Sequence, residues 1–124
     1  MKLLLDTHVW IWSLMNPVHL PLRVRKELKS SRNELWLSPV SVWEFLTLVR
    51  KGRILLQSTP ESWLKQAQAR LPLREAPLTR EAVLAGETQK LSHEDPADRF
   101  LVGTASCLGL TLVTADKRLI QSQA

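Results

Sequence analysis

A single cysteine, Cys107, is all the thiol chemistry this chain has, so no internal disulfide can form. It stands in Leu101-Val102-Gly103-Thr104-Ala105-Ser106-Cys107-Leu108, where a small buried thiol is a more natural role than a nucleophile. Long apolar runs are missing too. No stretch approaches the roughly 20 apolar residues that a membrane-spanning helix needs. The apolar run at the N-terminus breaks at Asp6, which argues against a signal peptide and makes a cytoplasmic location the expectation. His8, His19 and His93 are scattered and lack paired cysteines, which excludes the usual zinc-site spacings. A glycine-rich phosphate loop and a Ser-His-Asp pattern are likewise absent.

Acids are in the minority, with 12 Asp and Glu against 17 Lys and Arg and a net charge of +5. Such a balance suits a polyanionic partner, although a merely soluble basic surface carries the same charge. Hydrophobic residues make up 44% of 124 positions. That is enough for one domain with a real core, spanning residues 1–124, and too little for two. No repeat, linker or low-complexity segment divides it.

The chain is organised around Lys2-Leu3-Leu4-Leu5-Asp6-Thr7-His8. Lys2 to Leu5 is short for a helix and suits a strand buried on both faces. Asp6 then falls at the strand's C-terminal end, the edge where open α/β sheets bind ligands. Thr111-Leu112-Val113-Thr114-Ala115-Asp116 repeats the arrangement near the other terminus. Between them, Pro17 stops a first helix, and a second runs from Leu22 to Ser30 with a basic face of Arg23, Arg25, Lys26 and Lys29. Leu35 to Leu37 reads as a strand. Ser38 and Pro39 open a helix that ends at Gly52. A helix starts at Thr59-Pro60, a proline-weakened strand is expected over Leu73–Leu78, and Thr79 caps a helix reaching about Lys90. Asp95-Pro96 opens a helix running to Cys107 and stopped by Gly109, and Asp116 to Ile120 reads as a short terminal helix. Strands alternate with helices, which predicts α/β architecture with a parallel sheet covered on both faces.

Four acids share one position in this scheme. Asp6 and Asp116 end strands, Glu44 lies early in the helix after the second strand, and Asp98 lies in the first turn of the helix before the last. Right-handed crossovers bring all four to the C-terminal edge of the sheet. Each has a bland reading: Asp6 and Asp116 as helix caps, Glu44 as half of a salt bridge, Asp98 as a capping-box acid. Independent caps need not converge, so the joint pattern favours a carboxylate site for Mg²⁺ or Mn²⁺. Thr7 and Thr114 stand where they can orient the carboxylates or a metal's water, and packing or capping is the bland alternative for both.

Leu4-Leu5-Asp6-Thr7-His8, Ser41-Val42-Trp43-Glu44, His93-Glu94-Asp95-Pro96-Ala97-Asp98-Arg99 and Thr114-Ala115-Asp116 together resemble the PIN-domain family, most closely its VapC-type toxins. The resemblance spans nearly the whole chain. It implies an α/β/α sandwich with a central parallel sheet, Mg²⁺- or Mn²⁺-dependent endoribonuclease activity, a VapB-like antitoxin as partner, and a homodimer. It assigns the metal site to Asp6, Glu44, Asp98 and Asp116, with Asp95 as a helix cap. Relatives continue past the last acid into another short edge strand, whereas Ala124 closes this chain eight residues after Asp116. About four strands are therefore expected.

Competing readings are a phosphoacceptor receiver domain, a housekeeping RNA-processing nuclease of the same family, and a non-catalytic RNA-binding module. A receiver would pair acids directly after its first strand, where this chain has Asp6-Thr7-His8. Arg50, Lys51 and Arg53 are the candidate contacts to RNA phosphates. Of five tryptophans, Trp10 and Trp12 cannot face the same way on one helix, so one of them is expected at the surface facing an antitoxin.

Overall fold

A computed structural model describes residues 1–89 and 95–114. Four parallel strands form one sheet: β1 (Lys2–Leu5), β2 (Glu34–Leu37), β3 (Arg74–Glu75) and β4 (Thr111–Val113), in the spatial order β3-β2-β1-β4. The helices are α1 (Thr7–Met15), α2 (Leu22–Lys29), α3 (Pro39–Arg50), α4 (Pro60–Arg70), α5 (Arg80–Glu87) and α6 (Pro96–Leu108). A 3₁₀ turn, Pro17–His19, joins α1 to α2.

The alternation of side chains along the inner strands divides the core in two. Leu5 packs with Val9, Trp10, Phe45 and Ala67, with Leu35 and Leu37 against them. Leu4 and Leu112 pack instead with Leu101, Val102 and Ala105 of α6, with Trp36 alongside. Helices therefore cover both faces of the sheet, as the continuous apolar run of β1 predicts.

Two helix starts follow the sequence signals. Ser38 accepts the Val40 N–H at 3.1 Å with Pro39 in the first turn of α3. Asp95 accepts the Ala97 N–H at 3.0 Å ahead of Pro96 in α6. Gly109, at φ +66°, ends α6 in the left-handed conformation that glycine adopts without strain. On its inner side α6 meets α5 through two glycines. A Cβ on Gly103 would lie 2.0 Å from the Ala82 carbonyl oxygen, and one on Gly86 would lie 2.3 Å from that of Arg99.

Two expectations are corrected. The third strand is two residues, not six, although Ala76 still donates its N–H to the Leu37 carbonyl at 2.9 Å. Pro72 and Pro77 bracket it and can donate nothing to a ladder. Cys107 is exposed, because the buried face of α6 runs through Leu101 to Ala105 and the last turn emerges into solvent. The Trp10 and Trp12 pair does split: Trp10 is core, at 2% exposure, its ring edge-on to Phe45 and Trp63, and Trp12 is only partly buried. The expected end of α5 at Lys90 and the helix at Asp116–Ile120 lie outside the described residues.

Candidate active site

Strand order fixes where a site can form. The chain steps from β1 outward to β2 and β3, then crosses to β4 on the opposite side of β1. The point where direction reverses leaves a crevice at the C-terminal ends of β1 and β4. Leu5 pairs with Val113 in register, so Asp6 and Thr114 come out side by side. The Asp6 N–H donates to the Val113 carbonyl at 2.9 Å, and the Thr114 hydroxyl donates to Asp6 Oδ2 at 2.8 Å. Asp6 sits at the N-cap position of α1, but its side chain makes no capping hydrogen bond. Its carboxylate is turned to the crevice edge instead, and it is 7% exposed.

Glu44 reaches the same edge from α3. Ser41 and Glu44 are three residues apart and share one face of that helix. Both meet Thr7, the first residue of α1. Thr7 Oγ1 lies 2.8 Å from Ser41 Oγ and 2.5 Å from Glu44 Oε1. One hydroxyl carries one proton, and an ionised carboxylate only accepts. The Thr7 proton therefore goes to Glu44, and Ser41 donates to Thr7. No described Lys or Arg forms an ion pair with Glu44, so the salt-bridge reading of this acid fails among the described residues.

Asp98 occupies the first turn of α6 and is also 7% exposed. Burial raises the Glu44 carboxyl above its ordinary value, the Thr7 hydrogen bond opposes that rise, and the charges of Asp6, Asp95 and Asp98 add to it. The charges of Asp6, Asp95 and Asp98 thus all reach Glu44. Asp116, the fourth expected ligand, lies outside the described residues. Among the described residues, no three His, Cys, Asp or Glu side chains are close enough together to enclose a metal ion.

Beside Glu44 opens a cleft of about 180 Å³, lined by His8, Trp43, Glu44, Thr47, Leu48, Lys51 and Arg53. Two of the three expected phosphate-binding cations, Lys51 and Arg53, face it. Arg50 does not line it and donates instead to the Thr47 hydroxyl at 3.3 Å. Sequence reasoning missed Ser41, His8 and Trp43. The signal for Trp43 was present: residues 43 and 47 stand four apart on one face of α3, and Lys51, its C-cap, follows four further on.

Comparison with known proteins now decides the family. The model of the PIN domain matches residues 3–123. The chain belongs to the PIN-domain family. The VapC-type resemblance also stands: Ribonuclease VapC22 of Mycobacterium tuberculosis is 32% identical over 117 residues, 94% of this chain and 88% of that protein. Solved PIN-fold relatives share the architecture. VapBC2 from Rickettsia felis, bound to a DNA fragment from its promoter, has a TM-score of 0.72 at 16% identity, covering 98% of this chain and 92% of that one. FitAcB from Neisseria gonorrhoeae has a TM-score of 0.61 at 21% identity, covering 97% and 91%. No helix among the described residues of this PIN protein is long and apolar enough to cross a membrane.

Proposed function

We propose that this chain is the ribonuclease toxin of a toxin–antitoxin pair, hydrolysing RNA phosphodiester bonds in the cytoplasm with a divalent cation. The observation that carries the reading is that Asp6 and Glu44, each held by a threonine hydroxyl, stand near the switch point of the sheet, with the charges of Asp6, Asp95 and Asp98 all raising the Glu44 carboxyl. Like charges gathered in partial burial are costly unless a proton or a cation joins them. The donors fit a hard cation, being carboxylate oxygens without paired thiolates or imidazoles. Asp6, Glu44, Asp98 and Asp116 would hold Mg²⁺, or Mn²⁺ in its place. When bound, such an ion acidifies water and stabilises charge developing on a scissile phosphodiester.

The chain's own residues do the positioning. Thr114 holds one oxygen of Asp6, and Thr7, supported by Ser41, holds one oxygen of Glu44. These hydroxyls fix the direction in which each carboxylate faces the crevice. Asp95 anchors the start of α6 and so fixes Asp98. Lys51 and Arg53 supply positive charge where an RNA backbone must pass a negative centre.

The relatives named above support a VapB-like antitoxin as partner, and the same resemblance supports a homodimer with residues 1–124 acting as one domain. The test is cleavage of cellular RNA by purified protein with Mg²⁺, with EDTA, and with an Asp6→Asn variant. Cleavage that needs Mg²⁺ and is lost in a folded Asp6→Asn protein is expected. Cleavage that survives both EDTA and the substitution would refute the reading.

A further inference from the structure

Trp43 is 60% exposed, which is unusual for the most expensive apolar surface a chain can leave in water. The other four tryptophans have visible work. Trp10 and Trp63 pack edge-to-face in the core. Trp36 donates its indole N–H to Glu34 at 2.8 Å and lies beneath the Arg74 guanidinium. Trp12 sits between His8 and His19, each 5.5 Å away by ring centroid. Trp43 has no aromatic or cationic neighbour of this kind among the described residues, and its place is on the cleft that holds Glu44, Lys51 and Arg53.

We propose that Trp43 is a stacking platform for one base of a single-stranded RNA, and that it determines which base lies next to the cut bond. This rests on the ribonuclease reading above. The geometry follows from α3. Trp43 and Lys51, the C-cap of α3, are eight residues apart, which sets them about 12 Å apart along the helix axis. An exposed ring at one end and cations at the other match the two parts of a nucleotide strand. Bases offer flat faces that stack on aromatic rings, and phosphates seek positive charge. Trp43 and Glu44 line the same cleft, so a base held on the ring brings its own phosphate to the acid edge. A peptide partner would find the same ring, but the net charge of +5 and the paired cations of the cleft favour a polyanion.

The test compares wild type, Trp43→Ala and Trp43→Phe, each in an Asp6→Asn background that removes turnover. Two fluorescent probes of equal length are titrated: a mixed-sequence single-stranded RNA and a fully abasic oligomer that keeps only the backbone. Trp43→Ala should weaken RNA binding about tenfold, leave the abasic probe unaffected, and be largely rescued by Phe. In the catalytically intact background it should blur the sequence pattern of the cuts. Equal RNA affinity in Trp43→Ala and wild type, with Asp6-dependent cleavage intact, would overturn the stacking role while leaving the ribonuclease reading standing. Loss of both probes together would assign Trp43 to the fold of α3, and a shift from dimer to monomer with RNA binding unchanged would assign it to contact between copies. Either result overturns the proposal. If wild type neither binds nor cuts RNA, the ribonuclease reading falls and this inference with it.

Discussion

Asp98 is held in place by a close approach of two helices that leaves no room for a methyl group. Where α5 crosses α6, a Cβ built on Gly103 stands 2.0 Å from the Ala82 carbonyl oxygen, 2.6 Å from the Gly86 nitrogen and 2.9 Å from the Gly86 Cα. Ordinary contact begins near 3.4 Å. All three atoms are backbone, so no side chain can swing aside and the helices must part by more than an ångström. Overpacking of this kind costs about 1–3 kcal/mol, and the stiffness of the obstacle places Gly103→Ala at the upper end. Alanine recovers about 1 kcal/mol as a better helix former than glycine. The net expectation is a loss of about 2 kcal/mol, or roughly 8 °C in Tm for a domain of this size. Ser106→Ala, on the exposed last turn of the same helix, should stay within about 0.5 kcal/mol of wild type. Urea and thermal unfolding of the three proteins side by side measure this. A Gly103→Ala protein as stable as wild type would show that the helices do not meet as closely as described, and the argument would fail.

Three shorter expectations follow from the site. Glu44 holds its proton more tightly folded than unfolded, mainly because it is buried. Without divalent cation its contribution to stability is therefore fully present below about pH 4.5 and is lost as pH climbs through the raised folded value; Glu44→Gln should remove that decline, and identical pH profiles of the urea midpoint would contradict the assignment. Neutralising Lys51 and Arg53 together should flatten the dependence of RNA affinity on salt, by about 0.7 in log–log slope for each phosphate left without its cation, without changing which bond is cut, and an unchanged slope would place those cations elsewhere. Asp98→Asn should abolish Mg²⁺-dependent cleavage in a folded protein, so retained cleavage would reduce Asp98 to a helix-start acid.

The parts of the molecule that are legible in sequence are the ones decided locally. Ser38-Pro39 and Asp95-Pro96 cap their helices with the atoms beside them. β1 announces itself because a strand buried on both faces has no polar positions to disguise it. Sequence misleads where a distant element casts the deciding vote. Helical geometry correctly puts Trp10 and Trp12 on different faces, but only Phe45 and Trp63, from α3 and α4, determine that Trp10 is the one inside. The third strand reads as longer because Leu73, Ala76 and Leu78 flank its charged pair, while Pro72 and Pro77, which can donate nothing to a ladder, confine pairing with β2 to Arg74 and Glu75.

The site divides along the same line, and the division has a physical cause. Among the described acids, topology alone leads to Asp6 at the end of β1 and to Asp98 in the first turn of α6. How each acid is held is legible only in part. Asp6 and Thr114 are 108 residues apart, and Thr7 and Glu44 are 37 apart. Those hydrogen bonds exist because β1 pairs with β4 in one register and α1 packs on α3 at one height. A one-residue slip between β1 and β4 would take the Thr114 hydroxyl away from Asp6, because a strand's side chains swap faces with each step. The threonines thus tie the carboxylates to the register of the fold; the sequence marks Thr7 and Thr114 as candidates for that role, and only the register decides which acid each one holds.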